Sequence, residues 1–248
     1  MIPWEQALKL ILDNTRVLPP RTVRLEETAA CVLAEAVRAN VGLPLFSSSA
    51  RDGFALRSED VRAVPVSLKL KGTIQAGQAA QERVSKGEAV KIMTGAPLPQ
   101  GTDAVVMVED TEERDGSILV RKRVKKGENV RLLGEEIKRG QVALPKGAVL
   151  NPPSIGFFAA LGCRRVRVYR RPRVSLLVTG NELIPAGKSL KPGEIWESNS
   201  LLLKLALAEI HLQPVCLGIA RDDRNEFHER IERGLRASDV LLISGGIS

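Results

Sequence analysis

A run of small polar residues between two phenylalanines contains the first side chains that could do chemistry. Residues 46–55 read Phe-Ser-Ser-Ser-Ala-Arg-Asp-Gly-Phe-Ala, and Asp52, just before Gly53, is the single carboxylate in the run. Small residues let a ligand approach the backbone closely, and the phenylalanines can anchor both ends in a core. The alternative is an ordinary Asp-Gly turn capped by serines. The run predicts an ordered polar loop in either case.

Three more polar stretches each follow an apolar run late in the chain. They are Thr-Gly-Asn-Glu at 179–182, Arg-Asp-Asp at 221–223 and Ser-Gly-Gly-Ile-Ser at 244–248. Ligands of doubly wound sheets bind beyond the carboxyl ends of the strands, and the last stretch can cradle a phosphate through backbone N–H groups and hydroxyls. The alternative is that these residues cap the following helices. No Gly-Lys-Ser/Thr follows, which excludes a Walker A loop.

The pattern beyond residue 172 predicts the elements that position these stretches. Apolar runs alternate with helical periodicity in a β-α-β-α-β order, which is typical of a doubly wound parallel sheet. The predicted strands are 173–178, 214–219 and 240–243, and the predicted helices are 198–210 and 224–236.

The earlier part of the chain mixes short helices with many short strands. Glycine and proline punctuation from residue 61 to 130 predicts a small, mainly β domain. The predicted helices are an amphipathic one from Trp4, 29–37 and 152–161, and the predicted strands are 23–25, 64–70, 89–93, 104–108, 118–120, Gly-punctuated strands within 132–150, and 166–169.

Composition narrows the function classes. The formal net charge of +8 fits small anionic ligands, but the basic residues are scattered rather than interleaved with aromatics, so we expect no nucleic-acid partner. No run of eighteen apolar residues predicts a membrane span, and no signal peptide is evident. The three cysteines lack CxxC spacing and predict buried free thiols in a reducing compartment. We therefore expect a cytoplasmic protein.

Taken together, the motifs resemble the molybdopterin molybdenumtransferase family, the MoeA type that is also found as the gephyrin E domain. Residues 44–55 are similar to that family's Pro-x-Phe-Asp-Asn-Ser-Ala-Met-Asp-Gly-Tyr-Ala loop, and 92–97 to its Ile-Met-Thr-Gly-Ala-Pro segment. The other matches follow in the family's order: 134–137, 179–183, 192–195, Asn199 and 244–248. The resemblance covers almost the whole chain. The departures are Ser47 and Ser48 for Asp-Asn, Arg51 for Met, and Glu136 for Asp.

The resemblance implies a reaction and an architecture. The family inserts molybdenum from molybdate into adenylylated molybdopterin and releases AMP, with Mg²⁺ as cofactor. The implied fold is multi-domain α+β and α/β. A split first domain (1–43 and 132–171) carries an inserted mainly β domain (44–131), and a molybdopterin-binding α/β domain (172–248) follows. A homodimer is implied, with a molybdopterin adenylyltransferase as a candidate partner.

Carried over by motif, the resemblance also names site residues. The catalytic candidates are Asp52, Thr94, Glu182 and Asp222, with Asp223 as the alternative to Asp222. The metal candidates are Asp52, Glu182 and Asp222. The substrate-binding candidates are Ser49, Thr179, Gly180, Ser244, Gly245, Gly246 and Ser248.

The family's pattern also continues beyond the position matched by Ser248. We therefore expect the α/β domain in this chain to be incomplete and the chain to be inactive by itself. A non-catalytic molybdopterin-binding or scaffolding module is the alternative function.

Overall fold

The structure, a computed structural model of the chain, describes residues 2–78 and 83–245. Its α-helices are α1 (Trp4–Asn14), α2 (Pro152–Ala160), α3 (Asn199–Glu209) and α4 (Arg224–Ala237). Its strands are β1 (Pro20–Arg24), β2 (Val37–Arg38), β3 (Ser48–Ser49), β4 (Gly53–Leu56), β5 (Val66–Ile74), β6 (Glu88–Ile92), β7 (Ala104–Met107), β8 (Thr111–Arg114), β9 (Ser117–Val120), β10 (Val130–Arg131), β11 (Val142–Leu144), β12 (Arg165–Tyr169), β13 (Val174–Thr179), β14 (Leu183–Pro185), β15 (Ile195–Glu197), β16 (Val215–Ala220) and β17 (Val240–Ser244). Short 3-10 helices cover Leu25–Glu27, Ser58–Val61 and Val108–Asp110.

The chain divides into two compact units. The first unit comprises Met1–Glu35, Lys146–Ile155 and Arg164–Ser248, and the second unit comprises Ala36–Pro145 and Gly156–Cys163. The multi-domain mixture of helices and strands agrees with the predicted fold class. The three-domain division with boundaries at 43, 131 and 171 stays a prediction.

A six-stranded sheet in the order β7-β4-β6-β5-β9-β8 forms the core of the second unit. Its neighbours are antiparallel except β5 and β6. All four residues of β4 are buried, and successive side chains point to opposite faces. Phe54 and Leu56 therefore join one apolar cluster, while Ala55 joins the other. Burying each of these large apolar side chains stabilises the fold by about 1.5–3 kcal/mol. Because β4 is held in the core in this way, the residues just before it are also held in place.

Close backbone contact explains why a glycine begins β4. A Cβ atom built on Gly53 would lie 2.0 Å from the carbonyl oxygen of Val106, on the neighbouring strand β7. No real Cβ comes so close, so only glycine lets the chain enter the sheet here. The entry of β4 holds Asp52, the preceding residue, in a defined place.

A parallel three-stranded sheet in the order β16-β13-β17 lies in the first unit. All six residues of the central strand β13 are buried. Leu177 packs with Leu217 of β16 and with α4 residues on one face, whereas Leu176 and Val178 face the side where Leu201 of α3 lies. The predicted β-α-β-α-β order is confirmed. The sequence did not predict the ribbon of β14 and β15, which are paired in parallel.

The predicted helix at 29–37 is wrong. Cys31 and Leu33 are buried while their neighbours are more exposed, which is the two-residue period of an extended chain. Leu33 donates its N–H to the carbonyl of Ala148 over 2.9 Å, and Ala34 donates to Arg167 over 2.9 Å. Pairing with distant segments therefore overrides the helical preference of an alanine-rich stretch.

Two other predictions need correction. Within 132–150 only β11 is a strand, because 134–137 and 147–150 contribute isolated bridges (Leu43 with Ile137, Val32 with Val149) rather than ladders. Of the three free thiols, Cys31 is buried and Cys163 is half-buried, but Cys216, on strand β16, is exposed. Burial raises the pKa of the Cys163 thiol.

In the part of the chain that the structure describes, every helix is too short or too polar to cross a bilayer.

Candidate functional site

Asp52 and Thr94 meet in the second unit although 42 residues separate them. Oδ1 of Asp52 accepts hydrogen bonds from the backbone N–H of Thr94 over 2.7 Å and from its hydroxyl over 2.8 Å. These two bonds, the backbone one first, lower the pKa of the exposed Asp52 carboxyl below its ordinary value. The side chain is therefore ionised at neutral pH. We call Ser49, Asp52 and Thr94 the Asp52 turn.

Backbone pairing brings the two halves of the Asp52 turn together. Ser49 donates its N–H to the carbonyl of Ala96 over 3.0 Å and accepts from the N–H of Gly95 over 2.9 Å. Its hydroxyl, in a side chain that is only 1% exposed, donates to the carbonyl of Arg51. Ser49 therefore braces the loop from inside, and the surface of the turn is formed by Asp52 and Thr94.

One carboxylate oxygen of the turn remains open. Oδ2 of Asp52 has no hydrogen-bond or ion-pair partner within residues 2–78 and 83–245. An ionised carboxylate with a free oxygen is the ligand type that Mg²⁺ prefers, and Mg²⁺ usually takes one or two carboxylates together with substrate phosphates. The described residues form no cluster of three or more His, Cys, Asp or Glu side chains able to hold a metal by themselves. Asp52 fits Mg²⁺ only as one ligand among several.

Thr179 occupies the carboxyl end of β13 in the first unit. Its Oγ1 is buried and has no hydrogen-bond partner among the described residues. A Cβ built on Gly245, just after β17, would lie 2.5 Å from the carbonyl oxygen of Thr179 and 2.8 Å from Oγ1. Glycine is therefore required where the chain passes over this hydroxyl. An unsatisfied buried hydroxyl costs about 1–3 kcal/mol, so it is a place where a ligand oxygen would be stabilising.

The ends of β13 and β16 are linked by a reciprocal pair of hydrogen bonds. Asn181 donates its side-chain N–H to Oδ2 of Asp222 over 3.0 Å, and its Oδ1 accepts from the N–H of Asp222 over 3.0 Å. Asp223 instead caps α4, accepting from the N–H groups of Asn225 and Glu226 over 3.0 and 2.8 Å. Of the two aspartates, Asp222 is thus the one that belongs to the strand ends.

The remaining candidates have different surroundings. The exposed carboxylate of Glu182 lies against Gly180, since a Cβ on Gly180 would be 2.8 Å from its Oε1. The Ser244 hydroxyl accepts from the side-chain amide of Asn199 over 2.9 Å. The candidates Gly246 and Ser248 lie outside the described residues.

Polar residues from the ends of all three strands form one group in the first unit. We call this group the strand-end cluster; its members are Thr179, Asn181, Asp222, Ser244 and Gly245.

Sequence reasoning missed two amides. Asn181 orients Asp222, and Asn199 at the start of α3 positions Ser244. Asn181 stood within a polar strand end and Asn199 within a matched motif, but neither received a role. Their partners are 41 and 45 residues away in the chain, and no local pattern reveals such contacts.

Each unit therefore offers a different chemistry. The Asp52 turn presents a fixed, ionised carboxylate that suits a cation. The strand-end cluster presents hydroxyl and amide groups at the crevice of a parallel sheet, which suits the oxygen atoms of an anionic ligand.

Models of known protein families match the chain in two segments. Residues 2–162 match the MoeA N-terminal region (domain I and II), and residues 175–248 match a probable molybdopterin binding domain. Proteins called molybdopterin molybdenumtransferase, from Haemophilus influenzae and Staphylococcus aureus strain Mu50, are 36% and 35% identical to the whole chain. The chain spans 62% and 60% of the lengths of these curated relatives.

The chain is also similar to a solved structure of a MoeA protein. The molybdopterin biosynthesis MoeA protein from Pyrococcus horikoshii OT3 is 34% identical, with a TM-score of 0.90 over all of this chain and 67% of that chain. The N-terminal family match contains the Asp52 turn, and the molybdopterin-binding match contains the strand-end cluster. Because the first match alone covers more than half of the sequence, the chain belongs to the MoeA family.

Proposed function

We propose that the protein containing this chain is a molybdopterin molybdenumtransferase. It takes molybdate and adenylylated molybdopterin as substrates, inserts molybdenum into the pterin dithiolene and releases AMP. The strand-end cluster binds the molybdopterin part, and the Asp52 turn supplies a carboxylate to the reaction. The names of the relatives and the probable molybdopterin binding domain at 175–248 support this assignment.

One observation carries the proposal: the hydroxyl of Thr179, at the carboxyl end of the central strand, is buried and has no partner within residues 2–78 and 83–245. This position is where doubly wound sheets bind ligands. The hydroxyl can donate one hydrogen bond to a phosphate oxygen, and the backbone of Gly245 lies close beside it. None of the described residues satisfies this hydroxyl, so a bound oxyanion could do so.

The test compares two hydroxyls on the same strand. Ser175 is as deeply buried as Thr179, also lacks a described partner, and lies four residues earlier, away from the carboxyl end. We expect Thr179→Val to weaken molybdopterin binding about tenfold, the effect of losing one hydrogen bond of about 1.4 kcal/mol. Ser175→Ala should leave binding unchanged. Anaerobic isothermal titration of the chain with molybdopterin measures both. Equal affinities for all three proteins would overturn the assignment.

Asp52 has the role of a metal-binding carboxylate in this proposal. Bound Mg²⁺ would supply charge neutralisation beside the phosphoanhydride and the leaving AMP. The chain's own contribution is to hold Asp52 ionised through the two hydrogen bonds from Thr94, with Oδ2 free. Glu182 and Asp222 are the further candidates for the metal and for catalysis in the first unit. Both are exposed at the strand ends.

Assembly and location are parts of the same proposal. We infer a homodimer, which is supported by the family resemblance and by helix α1, where Trp4, Ile11 and Leu12 are more than 60% exposed and no residue is buried. A molybdopterin adenylyltransferase is the proposed source of the adenylylated substrate. We also propose a cytoplasmic location, on the basis of the free cysteines without CxxC spacing.

A further inference from the structure

We propose that a cavity at the amino ends of β13 and β16 binds the carboxylate group of a small organic anion. The cavity lies in the first unit, between the segment that leads into β13, the last turn of α3 with the loop after it, and the end of α4. Its volume is about 590 Å³, which is in the range of small-molecule sites. We call it the amino-end cavity. It lies at the opposite end of the sheet from the strand-end cluster and has no part in the proposed function.

Arg171 is the lining residue whose charge is least compensated. Its Nη2 donates to the carbonyl of Ala29, whereas its Nε is buried and has no hydrogen-bond partner among residues 2–78 and 83–245. Within the same residues, no carboxylate lies at ion-pair distance from its guanidinium. Taking a cation partly out of water without a counter-ion is costly, and a charge-assisted hydrogen bond to an anion in the cavity would reduce that cost.

Arg173 places a second guanidinium at the amino-end cavity. Its side chain is 63% exposed, and its Nε lies 3.6 Å from Oδ2 of Asp239. That oxygen already accepts from the guanidinium of Arg170 over 2.7 Å and from the backbone N–H of Arg173 over 2.8 Å, so the guanidinium of Arg173 is only loosely paired. None of the described residues that line the cavity is Asp or Glu, whereas His211 and Gln213 add side chains that can donate hydrogen bonds. The lining is therefore basic and suits an anion.

Backbone hydrogen bonds hold two walls of the amino-end cavity in place. After α3, the chain turns through His211, which has a positive φ of 58°. The N–H of His211 donates to the carbonyl of Ala208 over 2.9 Å, and that of Leu212 donates to the carbonyl of Leu207 over 2.9 Å. Across the cavity, the carbonyl of Arg173 accepts from the N–H of Asp239 over 2.8 Å. Walls that are ordered before a ligand arrives lower the entropic cost of binding.

The rest of the lining indicates which kind of anion fits. Six of the lining residues are apolar: Pro172, Val174, Ala208, Leu212, Val215 and Ala237. An inorganic ion would make no use of this surface, whereas the body of an organic anion can contact it. Both α3 and α4 also end at the cavity, and the negative partial charge at helix carboxyl ends disfavours a multiply charged ligand. The ligand class is thus a monocarboxylate with a small apolar body, whose planar carboxylate matches a guanidinium fork.

Phenylacetate is a suitable probe, with phenylacetamide as its uncharged comparison. We expect saturable binding of phenylacetate by the chain in an NMR titration, with amide shifts concentrated at Arg171, Arg173 and His211, and no such shifts with phenylacetamide. Inorganic phosphate should bind more weakly than phenylacetate.

Variants locate the binding within the cavity. Arg173→Gln should weaken phenylacetate binding about tenfold, because it removes a charge-assisted hydrogen bond. Arg171→Lys, which keeps the charge but loses the planar fork, should weaken binding about fivefold. Arg233→Gln removes the same charge from an exposed residue of α4 that does not line the cavity, and solvent screening should limit its effect to less than about twofold.

Four results would overturn the proposal. They are the absence of saturable shifts with phenylacetate, equal binding of phenylacetamide, an equal loss of affinity in the Arg233→Gln control, and inorganic phosphate binding as tightly as phenylacetate. Thr179→Val should not affect this titration, because Thr179 lies at the other end of β13. A failure here is therefore distinct from a failure of molybdopterin binding at the strand-end cluster.

Discussion

The Asp52 turn and the strand-end cluster both present polar groups at the end of a strand, but they satisfy these groups in opposite ways. In the turn, Oδ1 of Asp52 receives two hydrogen bonds from Thr94, and Ser49 bonds inside the loop. In the cluster, the buried hydroxyl of Thr179 has no described partner. The buried hydroxyl of the turn is paired within the loop and only the exposed Oδ2 of Asp52 remains open, whereas the cluster contains a buried hydroxyl that has no partner among the described residues.

This difference separates structural effects from effects on ligand binding. A residue that supports the Asp52 turn contributes to the stability of the fold, and its replacement should be visible without any ligand. A residue of the strand-end cluster should have its main effect only when ligand is present. The first unit repeats this contrast within one sheet. Asp239, just before β17, accepts from the N–H of Arg173, just before β13, whereas the Thr179 hydroxyl at the carboxyl end of β13 has no partner among the described residues.

The largest expected effect comes from Gly53→Ala, which removes the close approach of β4 to β7. The new Cβ would meet the Val106 carbonyl oxygen at 2.0 Å, and backbone cannot move aside cheaply. We expect a loss of about 3 kcal/mol in the free energy of unfolding, measured by denaturant titration. Gly72→Ala on β5 is the control, because a Cβ there meets nothing within 4 Å; a similar loss in both variants would contradict the account.

The next largest effect on the free energy of unfolding should come from Asp239, which links the amino ends of β13 and β17, and this effect should depend on pH. Asp239 accepts from the guanidinium of Arg170 over 2.7 and 2.9 Å and from the N–H of Arg173 over 2.8 Å. These bonds, that from Arg170 first, hold the pKa of Asp239 well below its ordinary value. A lowered pKa in the folded state means that the stabilisation is complete above the unfolded pKa, about 3.9, and is lost as the pH falls further.

Asp239→Asn should therefore destabilise the protein at pH 7, and the difference from wild type should shrink steadily below about pH 3.9. Denaturant unfolding at a series of pH values measures this. Asp13→Asn on α1 is the control, because Asp13 has no hydrogen bond or ion pair through its side chain within the described ranges. A difference for Asp239→Asn that stays constant from pH 7 to pH 2 would show that the carboxylate charge is not responsible.

A smaller effect should separate two buried threonines of the first unit. The Thr28 hydroxyl donates to the carbonyl of Leu25, whereas that of Thr179 has no described partner. Thr28→Val should lower the free energy of unfolding by about 1 kcal/mol, and Thr179→Val should leave it unchanged or raise it slightly. Thermal or denaturant unfolding without ligand distinguishes them. Equal losses would mean that the Thr179 hydroxyl is satisfied in solution.

Much of the fold could be predicted from local pattern. The continuous apolar runs of β13, β16 and β17 are typical of buried parallel strands, and Pro152 and Gly162 delimit α2 by their backbone preferences. The segment at 29–37 could not be predicted, because its conformation depends on pairing with residues more than a hundred positions away.

For the candidate site, too, the sequence revealed the residue types but not the contacts between distant residues. Asp52 was a candidate as the single carboxylate of a polar loop and by motif resemblance, and Thr94 was a candidate by motif resemblance. Nothing in their local sequence indicated that one bonds the other. Asn181 was not recognised for the same reason, since its role depends on Asp222. Residue types are local information, but a hydrogen bond between two loops is a product of the fold. The functional roles of these residues remain proposals.

AMP release by wild type and Asp52→Asn tests the central claim most directly. The protein that contains this chain is incubated with adenylylated molybdopterin, molybdate and a series of Mg²⁺ concentrations. Asparagine keeps the oxygen that accepts from Thr94 but removes the charge, so the fold should persist. We predict that Asp52→Asn lowers the rate of AMP release at least a hundredfold at low Mg²⁺, with partial recovery at high Mg²⁺, because loss of a ligand weakens metal affinity. An unchanged rate and Mg²⁺ dependence in a folded variant would contradict the proposed role of the Asp52 turn.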